Sequence, residues 1–273
     1  MQFGDFEVFV LGEGQYTVGE DKVFVPHHQG DPLPKGTLFV ALNPFLIKTR
    51  HENILLDCGL GEEAQGRSIT FLLDNLAQYD VNREEVDKVL LSHLHFDHTG
   101  GAIFRLGNEL VPTFPNATYY AQRGEASASF KGRSESFKTE LIATLEAHGQ
   151  LTWLDGDGEI EDPNMDCRIE YRITGGHTAF HQAFLLHDTK DMDHSKTILF
   201  GGDVLPQPSQ VNRRFLAKYD YAPDVSQAQR VILAKEAYEK EYLVLFYHST
   251  QEPAAFLTHY DERTGYKMDL LQL

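Results

Sequence analysis

The sequence predicts an α+β fold in which two sheets pack together with helices on their outer faces. Three observations lead there. Short apolar runs of strand composition follow one another in hairpin-like succession. Helical periodicity appears in only three places, over 67–78, from Ser134 to Gly149, and over 223–240. Strands and helices do not alternate strictly, so a parallel βαβ sheet is disfavoured.

Taken in order, FEVFVL (6–11), GTLFVALNPFLIKT (36–49) and NILLDCG (53–59) read as strands separated by turns. From Arg67 to Gln78, Ile69, Leu72, Leu73 and Leu76 share one helical face. Val89–Leu91 and Ala117–Ala121 read as short strands. From Ser134, Phe137, Leu141, Ile142 and Leu145 again fall at helical spacing, and Gly149 is a natural stop. Strands recur as LTWL (151–154), CRIEYRI (167–173), AFHQAFLLH (179–187) and KTILF (196–200). Pro223-Asp224 opens a helix through Lys240, and Leu243–Tyr247 is the next strand. No repeat, low-complexity linker or composition break divides the chain, so a single domain over 1–273 is expected.

Composition narrows the function classes. With 24 Lys+Arg against 41 Asp+Glu, the formal net charge is −17. Such a surface repels nucleic acid and anionic membranes, so a polyanionic substrate would need a local basic patch; the plainer reading of the charge is solubility, and the expected partner is a small-molecule substrate. Cys58 and Cys167 are too few for a disulfide framework. The start, MQFGDFEVFVLGEGQY, lacks a signal-peptide pattern, and no run of 18 apolar residues occurs. A cytoplasmic protein is the expectation.

The strongest signal is Ser92-His93-Leu94-His95-Phe96-Asp97-His98-Thr99-Gly100-Gly101. Four potential ligands fall within six residues, although His is only 13 of 273. In an extended backbone, His93, His95 and Asp97 point one way, while Leu94 and Phe96 anchor the loop. His98 projects elsewhere and is available to a second ion. Imidazole and carboxylate suit zinc and other first-row metals. A polar loop with incidental histidines is the plain alternative, and the density of the cluster argues against it.

This run resembles the H-x-H-x-D-H motif of the metallo-β-lactamase superfamily, and the resemblance extends along most of the chain. Gly175-Gly176-His177-Thr178 resembles the family's G-H-T element, which implies that His177 joins His93 and His95 on a first metal. Gly201-Gly202-Asp203 resembles its G-D element and implies that Asp203 bridges two metals. His248, after the strand LVLF, matches the last histidine and would serve a second metal with Asp97 and His98. Leu56-Asp57-Cys58-Gly59 resembles the L-x-D-[TS]-G turn, with Cys58 where Thr or Ser is usual, and implies that Asp57 supports the site without binding metal. The family fold is an αββα four-layer sandwich with the metals at one end. His181 is expected to pack or to support a ligand. His27, His28, His51, His148, His187, His194 and His259 show no ligand spacing and read as surface or loop residues.

The resemblance implies two divalent ions, zinc first, with iron or manganese as alternatives. Between them a shared hydroxide would form, because metal binding lowers the pKa of water from about 15.7 towards about 7. Asp97 would both bind metal and handle the nucleophile's proton.

Within the superfamily, Asp203 departs from the true β-lactamases, which resemble this chain but carry Cys or Ser there. Only 25 residues follow His248, too few for the glutathione-binding extension of hydroxyacylglutathione hydrolases. No inserted nuclease domain is evident, and His95 stands where flavo-diiron proteins carry Glu. The remaining likeness is to N-acyl-homoserine lactonases and related organophosphate or ester hydrolases. Those lactonases carry Tyr three residues after the bridging Asp, where this chain has Pro206; Tyr219 or Tyr221 are alternatives, as is a plain aromatic loop. Phe96, Phe180, Phe215, Tyr219 and Tyr221 are candidates to line an acyl pocket, Phe96 being the one most readily explained as core. Hydrolysis of a small carboxylic ester or lactone is therefore expected. A phosphodiesterase and a non-catalytic metal-binding protein of the same fold remain open.

Overall fold

The computed structural model describes residues 1–63, 69–130, 136–163, 165–189, 196–212 and 216–273. Two seven-stranded sheets face each other. In spatial order the first contains Gln2–Phe3, Phe6–Val10, Phe45–Lys48, Asn53–Leu56, Lys88–Leu90, Thr118–Gln122 and Leu151–Leu154. The second contains Gly158–Glu159, Cys167–Ile173, Gln182–Asp188, Thr197–Phe200, Leu243–Leu245, Ala254–Asp261 and Gly265–Leu271. Helices Thr70–Ala77 and Thr139–Ala147 pack outside the first sheet, and helix Pro223–Glu239 outside the second.

Side-chain alternation explains why four layers form. Along Asn53–Leu56, Ile54 and Leu56 join the core between the sheets, whereas Leu55 packs with Leu72 and Leu76 on the helix side. In the second sheet, Ile198 and Phe200 face the first sheet, while Leu199 packs with Leu233 and Ala234 of the long helix. A strand covered on both faces must be apolar at consecutive positions, which is why NILL and TILF read as unbroken runs. Truncating a residue such as Leu55 or Leu199 to Ala would cost about 2–5 kcal/mol. The αββα sandwich is the architecture observed.

Several elements differ from the sequence reading. The stretch 36–49 is two strands: Leu38–Leu42 pairs with Gly14–Val18 in a separate three-stranded sheet, and Phe45–Lys48 enters the first large sheet. Pro44 has no N–H to continue a ladder, and the Asn43 side-chain amide donates to Phe246 O at 3.4 Å and Ser249 O at 2.9 Å. That pair of bonds pins the break against the segment carrying His248. The first helix is described from Thr70; its expected onset at Arg67 lies outside the described residues, as does the onset at Ser134. The next expected helix begins only at Thr139, and Phe137 instead forms a β-bridge with His95. Helix Arg123–Phe130, the hairpin Ile103–Leu106/Glu109–Pro112 and the C-terminal strand pair were not anticipated. His187, expected at the surface, is buried in a strand between Thr197 Oγ1 at 3.0 Å and Glu170 Oε2 at 3.2 Å. His194 and Phe215 lie outside the described residues.

Strands Asn53–Leu56 and Lys88–Leu90 run parallel, as do Thr197–Phe200 and Leu243–Leu245. Their carboxyl ends therefore deliver Asp57, His93, Asp203 and His248 to one end of the sandwich. Among the described residues, no helix is long and apolar enough to cross a membrane.

Candidate metal centre

Strand Lys88–Leu90 ends short of the cluster, and the chain then closes into a helical turn, Phe96–Thr99. The turn departs from an extended reading of the run. His93 and His95 stay together, but Asp97 lies beside His98, because helical backbone no longer sends alternate residues to the same side. His93, His95 and His177 form one group of mutually close donor atoms. Asp97, His98 and His248 form a second, and His93, His98 and Asp203 a third that overlaps both. All seven residues anticipated as ligands thus converge on one place.

Asp203 joins the groups. Its Oδ2 lies 3.2 Å from His177 Nε2, and its Oδ1 lies 3.1 Å from both His98 Nε2 and His248 Nε2. Asp97 Oδ2 is 3.6 Å from His98 Nε2 and 3.7 Å from His248 Nε2. His95 presents Nδ1, 3.0 Å from His177 Nε2.

The rings are held from behind. His98 Nδ1 pairs with Asp57 Oδ2 at 2.7 Å, and His177 Nδ1 with Asp220 Oδ1 at 2.9 Å. His248 Nδ1 lies 2.9 Å from Ala41 O, and His93 Nδ1 lies 3.0 Å from Ser92 Oγ. Asp57 also accepts the Ser92 N–H and hydroxyl, each at 2.8 Å. Such contacts leave the other ring nitrogen free to bind a metal. His181 turns out to be a support: Thr174 Oγ1 lies 2.6 Å from its Nδ1, and its Nε2 accepts the Asp203 N–H at 3.1 Å. Gly202 makes that approach possible, since its φ is +47° and an added Cβ would lie 2.6 Å from His181 Nε2.

Burial and repulsion from neighbouring rings hold His93 and His95 well below the usual imidazole range. Burial also opposes charge on His98, but Asp203, Asp97 and Asp57 outweigh it and raise its pKa well above that range. Asp203 is buried too, yet His248, His98 and His177 keep it well below the usual carboxylate range.

The donor set fits divalent ions. His93 Nε2, His98 Nε2 and Asp203 Oδ1 are buried with no hydrogen bond of acceptable geometry, although other donor atoms lie close by. Buried polar atoms left this way carry a desolvation penalty unless something else satisfies them. Donor atoms gathered within 4.8 Å of one another in each group are what a coordinated cation requires.

Two supports were not visible beforehand. Tyr247 donates its hydroxyl to Asp97 O at 2.7 Å, accepts the Gly59 N–H at 3.1 Å, and stacks on the His98 ring at a centroid distance of 4.1 Å. Asp220 carries no local signal of its role, because it lies 43 positions from its partner histidine. The Tyr219 ring stands 6.0 Å from that of His177, whereas Tyr221 is largely exposed.

Fold and site together define an αββα protein with a clustered His/Asp centre at the sheet ends. The model of the metallo-β-lactamase superfamily matches residues 39–248, and the chain belongs to that family. A curated relative, thioesterase pkgB of Emericella nidulans, is 26% identical over 180 residues. That alignment covers 66% of this chain but only 39% of the relative. Among solved structures, a probable metal-dependent hydrolase from Staphylococcus aureus superposes with a TM-score of 0.77 at 19% identity, covering 100% of this chain and 99% of that one. AidC, a dizinc quorum-quenching lactonase solved with a product, gives 0.75 at 19% identity, with 100% and 97% covered. The hydrolase AbOPH gives 0.75 at 22% identity over the same shares. At these identities the likeness is one of fold.

Proposed function

We propose that this chain, acting as a single domain, is a dinuclear metal-dependent hydrolase of small carboxylic esters or lactones. The observation that carries the reading is Asp203, whose two oxygens divide between the His177 side and the His98–His248 side. Such a carboxylate suits a bridge between two ions. His93, His95 and His177 would hold one ion and Asp97, His98 and His248 the other, with Asp203 shared. Zinc suits this ligand set, as do iron and manganese.

Divalent ions at this position supply Lewis acidity and lower the pKa of water. The chain's own groups do the rest. Asp97, at the edge of the second group, orients the attacking water and accepts its proton. Asp57 and Asp220 keep the His98 and His177 rings turned inward. The Phe137 ring borders the cluster, 4.9 Å from that of His95, whereas Phe96 packs edge-on against Phe24 at 5.6 Å and belongs with the core between the sheets. Phe180 and Tyr219 are exposed beside the His177 loop. Such walls suit an apolar acyl group, and the −17 charge disfavours a polyanion.

A panel of esters, lactones, thioesters and phosphoesters, run on metal-reconstituted protein, tests the reading. The expected result is turnover of esters or lactones, with RNA and DNA poor substrates. Thioesters belong in the panel because the curated relative is named a thioesterase. Efficient cleavage of single-stranded RNA, with inert ester and lactone controls, would overturn the substrate assignment in favour of phosphodiester hydrolysis.

A further inference from the structure

We infer that Glu125 is a positioning residue: its carboxylate locks the loop carrying His93 and His95 against the loop carrying His177. The inference rests on the reading of these histidines as metal ligands.

Glu125 lies on helix Arg123–Phe130, directly after the strand Thr118–Gln122, and is fully buried. Its Oε2 accepts the N–H of Leu94, the residue between His93 and His95, at 3.2 Å. Its Oε1 accepts the hydroxyl of Thr178, next to His177, at 2.6 Å, and the N–H of Phe180 at 3.1 Å. The first loop leaves the first sheet, and the second loop leaves the second sheet. One side chain therefore spans the two sheets where His95 Nδ1 and His177 Nε2 come within 3.0 Å. Gly124 keeps the junction tight, since a Cβ there would lie 2.2 Å from the Phe180 ring.

The chemistry demands a carboxylate. Two N–H groups and one hydroxyl converge on the two oxygens, and an ionised carboxylate is the side chain that only accepts. Glutamine has the same shape but replaces one oxygen with an NH2 group, which must then face a donor. Burial of Glu125 raises its pKa, and the three donors oppose that shift without cancelling it. Thr178→Val removes one donor at nearly constant volume, and Thr178→Ser retains it.

The test is Co²⁺ titration of chelator-treated full-length protein, read by visible d–d absorption and by chelator competition, on wild type, Glu125→Gln, Thr178→Val and Thr178→Ser. Wild type is expected to take up two Co²⁺. Glu125→Gln should hold one of them about ten- to hundredfold more weakly, with altered bands for that ion. Thr178→Val should move the same way and Thr178→Ser should return to wild-type behaviour, a rescue that a merely structural role does not predict. If Glu125→Gln fails to fold, the two Thr178 variants decide. A folded Glu125→Gln with both affinities within twofold of wild type and unchanged bands overturns the inference alone, as do matching Val and Ser variants that bind like wild type. Wild type binding no Co²⁺ overturns the metal-centre reading itself, and this inference with it.

Discussion

Asp57 Oδ2 stands 2.7 Å from His98 Nδ1, and neither side chain is reached by solvent. Asp57 also adopts φ +58°, a conformation that Asn tolerates better than most residues. Asp57→Asn should therefore keep the backbone while replacing a charge-assisted contact with a weaker one. The expected outcome is a folded protein with metal affinity or activity reduced about ten- to hundredfold. Circular dichroism together with metal titration checks it; wild-type affinity in the variant would mean that Asp57 does not orient His98.

Asp97→Asn separates chemistry from folding. Asp97 sits at the end of the cluster nearest His98 and His248 and is given the role of proton acceptor. The variant should fold and retain part of its metal, with kcat reduced by about two orders of magnitude or more. A kcat close to wild type would remove Asp97 from the mechanism.

Metal content should reach two ions per chain under replete conditions, because seven donor residues exceed what one ion uses. Chelation should abolish hydrolysis and lower Tm, since an ion that binds only the folded chain adds about 4 kcal/mol at a thousandfold excess over Kd. Elemental analysis that never exceeds one ion per chain counts against the dinuclear centre.

Gly202→Ala tests the packing behind Asp203. The added methyl group would meet His181 Nε2 and the Ser92 side chain, at 2.6 and 2.8 Å, on a backbone with φ +47°. Strain of this kind costs roughly 1–3 kcal/mol. Urea unfolding should report a loss in that range, and metal uptake should weaken as the turn carrying Asp203 shifts. An unchanged urea midpoint would show that the turn relaxes freely.

Glu236 on the long helix is part-buried and holds Arg172 Nη1 at 2.6 Å and Lys240 Nζ at 2.7 Å. Burial opposes its charge, but those two cations pull its pKa down from 4.5 to about 2. A depressed folded-state pKa contributes stability that is complete above the unfolded value and fades as pH falls towards the folded one. Glu236→Gln should cost up to about 1 kcal/mol at neutral pH. The gap between variant and wild type should close progressively below pH 4.5. Parallel urea curves across that range check the sign, and a gap that widens on acidification would refute it.

Much of this was legible in the chain itself. The compact run from His93 to His98, and the histidine or aspartate after each of three later strands, marked the seven candidate donors that the structure brings together. The αββα sandwich was implied by the family motifs, and consecutive apolar positions in NILL and TILF have their cause in coverage on both faces. Less legible were the strand pair joined at Asn43-Pro44 and the helix Arg123–Phe130. The first reads as one apolar run until Asn43 finds partners 203 and 206 positions away. The second is short and weakly amphipathic, so periodicity does not announce it.

The sequence by itself determined the candidate donors, because ligand chemistry resides in residue type and local spacing, and both are written in the chain. The family resemblance implied how those side chains divide into two groups, whereas tertiary structure alone decided which residues besides Asp57 hold them in place. The division follows from a helical turn at Phe96–Thr99 that an extended reading of the motif did not foresee. The supports, Asp220 for His177, Tyr247 for Asp97 and Glu125 for two loops at once, act over separations of 43, 150 and up to 55 positions. A hydrogen bond depends on where two atoms end up after both sheets have packed, and no local pattern encodes that meeting.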